Sequence, residues 1–260
     1  MNIFVFVKRV PDTESRIRIQ DGGKAVAEEG LNFVLSPYDE YAVEEALRLK
    51  EAKGGTVTAV ALGPDEALVI LRKCLAMGAD EAVLIKDVGP ETYDGLRTAA
   101  ILAKYVTAKV PQFDLLLFGK QSMGADNAQV PSMVGELLGL PQVNVVTKLE
   151  IEGGAGTALR EIEGAREKVV FSLPAVISAQ KGLNEPRYET LRGIMAAKKK
   201  TIPVVTVAEL RLSAEETAAR VEILRIEAPS ARKAGRVVTG PAADAARQLV
   251  EFLHNDAKVI

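Results

Sequence analysis

Of the two side chains most often recruited for chemistry at neutral pH, this sequence has one each, Cys74 and His254, among 260 residues. Cys74 has no partner for an internal disulfide, and its position in LVILRKCLAMGA at helical spacing predicts a small buried thiol rather than a nucleophile. His254, in LVEFLHNDAK, is expected to be a solvated residue at a helix end. A His-dependent triad and a His/Cys metal cluster both lack their parts, so no metal site is expected and redox or hydrolytic chemistry has to come from elsewhere. Excess charge is missing too. With 33 basic against 35 acidic residues the formal net charge is −2, which gives no polyelectrolyte reason for DNA, RNA or an anionic membrane as the main partner. Long apolar runs are absent from the start, where MNIFVFV meets Lys8 and Arg9 too soon for a signal segment or a membrane span. No nucleic-acid partner, no direct membrane insertion and a cytoplasmic location are the expectations.

What the sequence does contain is alternation. Apolar runs such as IFVFVKRV, TVTAVALG, EAVLIKD and DLLLFGK are separated by amphipathic stretches, YDEYAVEEALRLKEAKG, DEALVILRKCLAMGA, TYDGLRTAAILAKYVTAK and NAQVPSMVGELLGL. That order predicts an α/β fold, a mainly parallel sheet with flanking helices, and the near-continuous apolarity of the strands predicts that both sheet faces are covered. In the helix over 38–53, Ala42, Ala46, Leu47 and Leu49 are expected on the buried side, with Glu44, Glu45, Arg48 and Lys50 largely opposite. After Pro141 the segments VNVVTKLEIEG, ALREIEGAREKVVFSLP and AVISAQKG read as an antiparallel extension joined by tight turns. From about Thr206 the polar, helix-prone AELRLSAEETAARVEILRI leads through APSARKAG to a last helix, PAADAARQLVEFLHND. The expected division is a domain over 1–205 and a C-terminal helical arm over 206–260.

In an open α/β sheet, ligands are expected at the carboxyl ends of the strands. Four loops fall there. VKRVPDTES puts Lys8 and Arg9 at the rim, as phosphate contacts or as solvated charges. In LSPYDEYA, Ser36 is a candidate N-cap, Pro37 opens the helix, and Asp39 follows three residues after the serine, a capping-box arrangement. ALGPDEA sets Gly63 between a strand end and a helix start, where backbone amides and the helix dipole suit a phosphate, or simply form a tight turn. FGKQSMGADNAQVPSM follows its strand with Gly119, Lys120, Gln121, Ser122, Asp126, Asn127 and Gln129 as polar groups, and Gly124 permits close backbone approach. Neither GxxxxGK[ST] nor a GxGxxG after the first strand occurs, so this is no P-loop and no dinucleotide fingerprint. Together the loops predict an AMP-like ligand.

One stretch has no place in the alternating pattern: LNEPRYETLRGIMAAKKK, residues 183–200. With VKRVPD at 7–12, SPYDEYAVEEALRLKE at 36–51, CLAMGAD at 74–80, GKQSMGADNAQ at 119–129 and REIEGA at 160–165, it resembles the electron transfer flavoprotein beta-subunit family along nearly the whole chain. The resemblance implies an adenine nucleotide alpha hydrolase-like fold and a carrier without catalytic residues of its own, not an enzyme. It also implies a heterodimer with an alpha subunit that holds most of the FAD. Electrons would arrive from acyl-CoA and other flavin dehydrogenases, as in fatty acid beta-oxidation, and leave to a membrane electron transfer flavoprotein-quinone oxidoreductase. AMP would sit structurally in the beta subunit. Carried over by position, its contacts would be Phe6, the helix start Ser36, Pro37, Tyr38 and Asp39, then Leu62 with Gly63, and the loop from Gly119 to Val130, including Met123, Ala125 and Ala128.

A second branch of the family binds another FAD in place of AMP and bifurcates electron pairs from NADH, with a DRxFxGxDTxATS-like stretch after the third strand. KDVGPETYDGLRTAAILA lacks the Asp-Arg start and the paired threonines, which favours AMP. A third reading, a stand-alone nucleotide-binding protein, is compatible with the loops alone. In the family, 183–200 is a docking segment whose leucine, here Leu191, plugs a pocket on the dehydrogenase. Ile194 and Met195 would be adaptable neighbours, and Asn184, Glu185, Pro186 and Arg187 would hold the base. Lys198, Lys199 and Lys200 would steer an acidic partner or simply complement a helix end. Arg192 departs from the family pattern, where proline is common. Thr13 is expected near the isoalloxazine, and Glu161 either faces a partner arginine or pairs across the sheet.

Overall fold

The computed structural model describes residues 1–87, 94–230, 235 and 237–260. It falls into two units, Met1–Ile226 and Glu227–Ile260, so the polar stretch after Thr206 begins within the first. That unit is built around β1 (Asn2–Val7), which pairs in parallel with β4 (Thr56–Gly63) on one side and β6 (Leu115–Gly119) on the other. A short antiparallel pair, β2 (Arg9–Pro11) with β3 (Phe33–Leu35), stands apart. The main sheet continues outward through β5 (Glu81–Lys86) to β11 (Val204–Thr206), and in the other direction through β10 (Ala175–Ala179) to β7 (Gln142–Glu152). All these neighbours are parallel. Beyond β7 the sheet turns antiparallel with β8 (Ala155–Ile162) and β9 (Ala165–Ser172), the edge extension the sequence predicts.

Period-two alternation divides the strand side chains between two cores. Ile3, Val5, Leu115, Leu117 and Ile177 face α1 (Pro37–Lys53) and α2 (Leu68–Met77). Phe6, Leu116, Phe118 and Val176 face α3 (Gly95–Lys109) and α4 (Val130–Leu138). Covering both faces is what lets the strands be apolar throughout. Cys74 lies fully buried in α2, and burial pushes its thiol far up, so it is inert packing.

Three expectations are corrected. AVISA does not belong to the antiparallel meander. As β10 it is a parallel strand between β6 and β7, buried at all five residues; the lack of any polar alternation was the signal. Glu44 and Glu45 are not on a solvent face of α1 but are 5% and 6% exposed, because another segment covers them. And AELRLSAEETAARVEILRI yields only a short turn at Val207–Leu210 and the four-residue α6 (Ala214–Thr217). Each is closed by a complete capping box, Thr206 with Glu209 and Ser213 with Glu216, and Arg211 in the left-handed region ends the first before it can extend.

In the C-terminal unit, α7 (Ala242–Glu251) continues into a π turn at Phe252–Asp256, close to the expected span. Leu249, Val250 and Phe252 are exposed on it. His254 is exposed, its Nδ1 3.0 Å from the Ile260 carbonyl oxygen. Among the described residues no helix is long and apolar enough to cross a membrane.

Candidate functional site

The carboxyl ends of β1, β4 and β6 open onto a cleft of about 480 Å³, a size typical of small-molecule sites. One part of its wall is apolar: Phe6, Val60, Leu62, Leu102 and Phe118, with the Phe6 and Phe118 rings stacked at 4.7 Å. The other part is polar, with Lys120, Gln121, Ser122, Asn127 and Gln129 from the loop after β6 and Lys8, Asp39, Arg97 and Thr98 from other elements.

Of the residues singled out from the sequence, Phe6, Asp39, Leu62 and Gly63 line this cleft, as do Gly119, Lys120, Gln121, Ser122, Ala125, Asn127, Ala128, Gln129 and Val130. Ser36, Pro37, Tyr38, Met123, Gly124 and Asp126 are not on its wall. Ser36, Pro37 and Tyr38 form the helix entry beside it, where the Ser36 amide donates to the Lys8 carbonyl at 3.0 Å and the Lys120 ammonium lies 5.5 Å from the Tyr38 ring centre. Gly124 and Asp126 shape the loop. Gly124 has φ +90°, Asp126 and Ala128 are also left-handed, and Gln121 Nε2 donates to Asp126 Oδ1 at 2.7 Å. Such a run of turns bends main chain toward whatever occupies the cleft.

The capping-box reading of Ser36 and Asp39 fails. Pro37 does open α1, yet Ser36 makes no side-chain cap. The Asp39 carboxylate turns back under the sheet and accepts from two strand-end amides, Lys8 N at 2.7 Å and Gly119 N at 3.1 Å. The residue that binds these ends together is thus a buried acid in the first turn of α1. Burial pushes its carboxyl up to about 7, against the pull of those two amides and of the Lys8 charge. Gly119 is required here by proximity. A Cβ on it would collide with the Asp39 carboxylate and lie 2.6 Å from the Tyr38 carbonyl carbon. The Ser36 hydroxyl is fully buried and has no hydrogen-bond partner in the structure, an orphan beside a cleft that is otherwise rich in donors.

Sequence reasoning missed the wall contributed by the start of α3. Asp94 caps that helix, accepting from the Leu96 and Arg97 amides at 3.0 Å each. The same carboxylate also takes the amides of Arg220 and Val221. Burial works against its ionised form, but these four donors together hold the carboxyl below its usual range. Arg97 forms a fork on Asp87, at 2.6 and 3.2 Å, and its Nε donates to the Thr217 carbonyl at 3.0 Å. The signal was available in TYDGLRT, an Asp directly ahead of a helix that follows a strand. Of the KDVGPETYDGLRTAAILA stretch compared above, residues 88–93 lie outside the described residues.

Away from the cleft, 183–200 lies across α1 and α2. Asn184 and Arg187 bond to α1, and α5 (Leu191–Lys199) rests on α2. Thr190 caps α5 by accepting from the Gly193 amide at 3.0 Å, and a Cβ on Gly193 would strike the Ala76 carbonyl. Leu191 is 78% exposed at the first helical position, with Tyr188 and Met195 also exposed. Ile194 is half-buried against the core, and Lys199 is exposed. Lys200 is tied to the Ala79 and Asp80 carbonyls. Among the earlier alternatives, Arg9 stacks on Phe33 at 3.4 Å, and Glu161 stands opposite Arg166 in the β8–β9 register. Among the described residues no group of three or more His, Cys, Asp or Glu side chains could hold a metal ion.

A mostly parallel, doubly covered sheet with its cleft at the strand carboxyl ends defines a ligand-binding α/β protein. The family model described as electron transfer flavoprotein domain matches residues 24–210. The chain is 41% identical over 261 residues to the electron transfer flavoprotein subunit beta of Bacillus subtilis, covering 100% of both chains. It is 40% identical to that of Syntrophomonas wolfei, over 100% of this chain and 98% of the relative, and 39% identical to that of Bradyrhizobium diazoefficiens, over 100% of both. The chain belongs to the electron transfer flavoprotein family and matches its beta subunits from end to end.

Proposed function

We propose that this chain is the beta subunit of a heterodimer, that it holds AMP in the strand-end cleft, and that it docks acyl-CoA dehydrogenases through Leu191. The observation that carries the reading is the presence on one chain of two unlike surfaces. One is a recessed cleft with an apolar wall and a main-chain-rich loop. The other is a leucine presented to solvent on a braced helix start.

The fit to a mononucleotide rests on the chain's own groups. Phe6, Leu62, Leu102 and Phe118 suit a flat base. The loop Gly119–Val130, with its left-handed turns at Gly124, Asp126 and Ala128, suits a phosphate. FAD, held mainly by the alpha subunit, supplies the electron-carrying chemistry when bound. This chain contributes positioning. Its strand-end rim near Thr13 approaches the flavin-bearing partner, the part of its C-terminal arm that forms a separate unit, Glu227–Ile260, packs on that partner, and its docking segment keeps the dehydrogenase within electron-transfer distance. Electrons then pass to the quinone oxidoreductase. The site of action is the cytoplasm.

Co-purification with the alpha subunit followed by denaturation and nucleotide analysis tests this directly. One FAD and one AMP per heterodimer are expected. Two FAD and no AMP would move the chain to the bifurcating branch, with NADH-dependent reduction as its second mark. A stable, nucleotide-loaded monomer obtained without an alpha subunit would identify a stand-alone binding protein instead.

A further inference from the structure

The docking segment is held by one stripe of α1. Asn184 Nδ2 donates to the Tyr41 carbonyl at 3.0 Å and to Glu45 Oε2 at 2.9 Å. Arg187 donates to Glu44 three times, from its backbone amide at 3.1 Å, from Nε at 2.8 Å and from Nη2 at 3.0 Å. It reaches Glu51 as well, from Nη1 at 2.5 Å and from Nη2 at 3.2 Å. Residues 41, 44, 45 and 51 recur at helical spacing, so they form a single rack along the helix. Glu44 and Glu45 are almost fully buried beneath the segment, and burial pushes the Glu45 carboxyl up. Two buried carboxylates under a surface loop are costly unless something is gained by fixing that loop. Four residues beyond Arg187, Leu191 begins α5 in the open.

We infer that Arg187, clamped between Glu44 and Glu51, is a positioning residue for partner docking: it fixes the approach of the chain into α5 and so holds Leu191 outward in one orientation. This rests on the docking role proposed above. A protruding apolar anchor loses affinity when it has to be ordered on binding, and a planar guanidinium forked onto two carboxylates removes that freedom in advance. Lysine, a point charge, cannot reproduce the fork.

The test uses the co-expressed heterodimer with an acyl-CoA dehydrogenase as electron donor. It compares Arg187→Gln, Arg187→Lys, Glu51→Gln and Leu191→Ala. Glu51 is exposed, so its variant folds even if removing Arg187 above the buried Glu44 does not. Hydrogen exchange at 184–195 is expected to quicken about tenfold in Arg187→Gln and Arg187→Lys and less in Glu51→Gln, with β-strand exchange unchanged. KM for the heterodimer should rise about tenfold in the arginine variants at constant kcat. Arg187→Gln combined with Leu191→Ala should be scarcely worse than Leu191→Ala alone, because both act through one contact. Unchanged exchange overturns the clamp. Faster exchange with KM raised by Leu191→Ala but not by the Arg187 variants overturns the positioning role and leaves docking intact. Faster exchange with KM unmoved by every variant overturns docking itself, and the inference with it.

Discussion

The cleft and the docking segment solve opposite problems with the same helix. At its first turn α1 sends the Asp39 carboxylate inward, where it ties the ends of β1 and β6 together under a recessed pocket. Further along, its carboxylates at Glu44 and Glu51 grip Arg187 and leave Leu191 uncovered. In the cleft the apolar groups are recessed and the loop after β6 supplies much of the polar wall. In the docking segment polar groups are recessed and the apolar ones face out. The first arrangement suits a ligand that stays, because polar groups gathered in a recess are costly to leave unsatisfied. The second suits a partner that comes and goes, because a single small anchor gives modest affinity.

The largest effect on this contrast should come from Gly119→Ala. The added carbon has to displace either the Asp39 carboxylate or the Tyr38 backbone, so about 3 kcal/mol of stability should be lost, together with the proposed nucleotide. Denaturant unfolding and nucleotide content of the purified heterodimer report the two losses separately. Next is Asp39→Ala, which orphans two strand-end amides and should cost about 2 kcal/mol.

Asp39 also predicts a pH dependence. Its carboxyl titrates at about 7 when folded and about 3.9 when unfolded, so the folded state binds the proton more tightly. The part of its stabilisation that depends on the bound proton is therefore full below pH about 4, declines as pH rises, and is lost as pH passes about 7. Asp39→Asn should flatten that decline between pH 5 and 7, read as the urea midpoint of the nucleotide-free protein; an equal slope in both proteins would show that Asp39 is ionised throughout.

Leu191→Ala reverses the pattern. It should leave the unfolding midpoint and nucleotide content unchanged while KM for the heterodimer rises tenfold to a hundredfold, the cost of an anchor that buries a leucine. Smallest of all, Lys199→Ala should change that KM by less than about threefold, and only at low salt. A large change persisting at high salt would mean that Lys199 makes a fixed contact rather than steering.

Apart from β10, which was misread as antiparallel, the parallel strands up to β6, the order of their helices and the strand-end position of the cleft were legible because period and polarity announce them locally. Three side-chain contacts were not. Asp39 and Ser36 spell a capping box, and nothing in eight residues reveals that the acid instead meets Gly119, eighty residues away. Glu44 and Glu45 are charged in an amphipathic helix, so a solvent face is the natural reading until Asn184 and Arg187 are seen to cover them. The Asp94 cap was readable as a helix start, but its additional hold on Arg220 and Val221 depends on a contact across more than a hundred residues. Local propensity reaches as far as the next turn, and each of these partners lies beyond it.

The position of β10 has a consequence for how the chain comes into being. The strand Ala175–Ala179 slots between β6 and β7, both made earlier, so the sheet stays split until roughly two-thirds of the chain has left the ribosome. The docking segment emerges immediately afterwards, ahead of only β11 at the sheet's far edge. A nascent chain whose sheet is still open at the centre has therefore not yet made its docking segment. Completion of the sheet's centre precedes presentation of the surface that partners are proposed to meet.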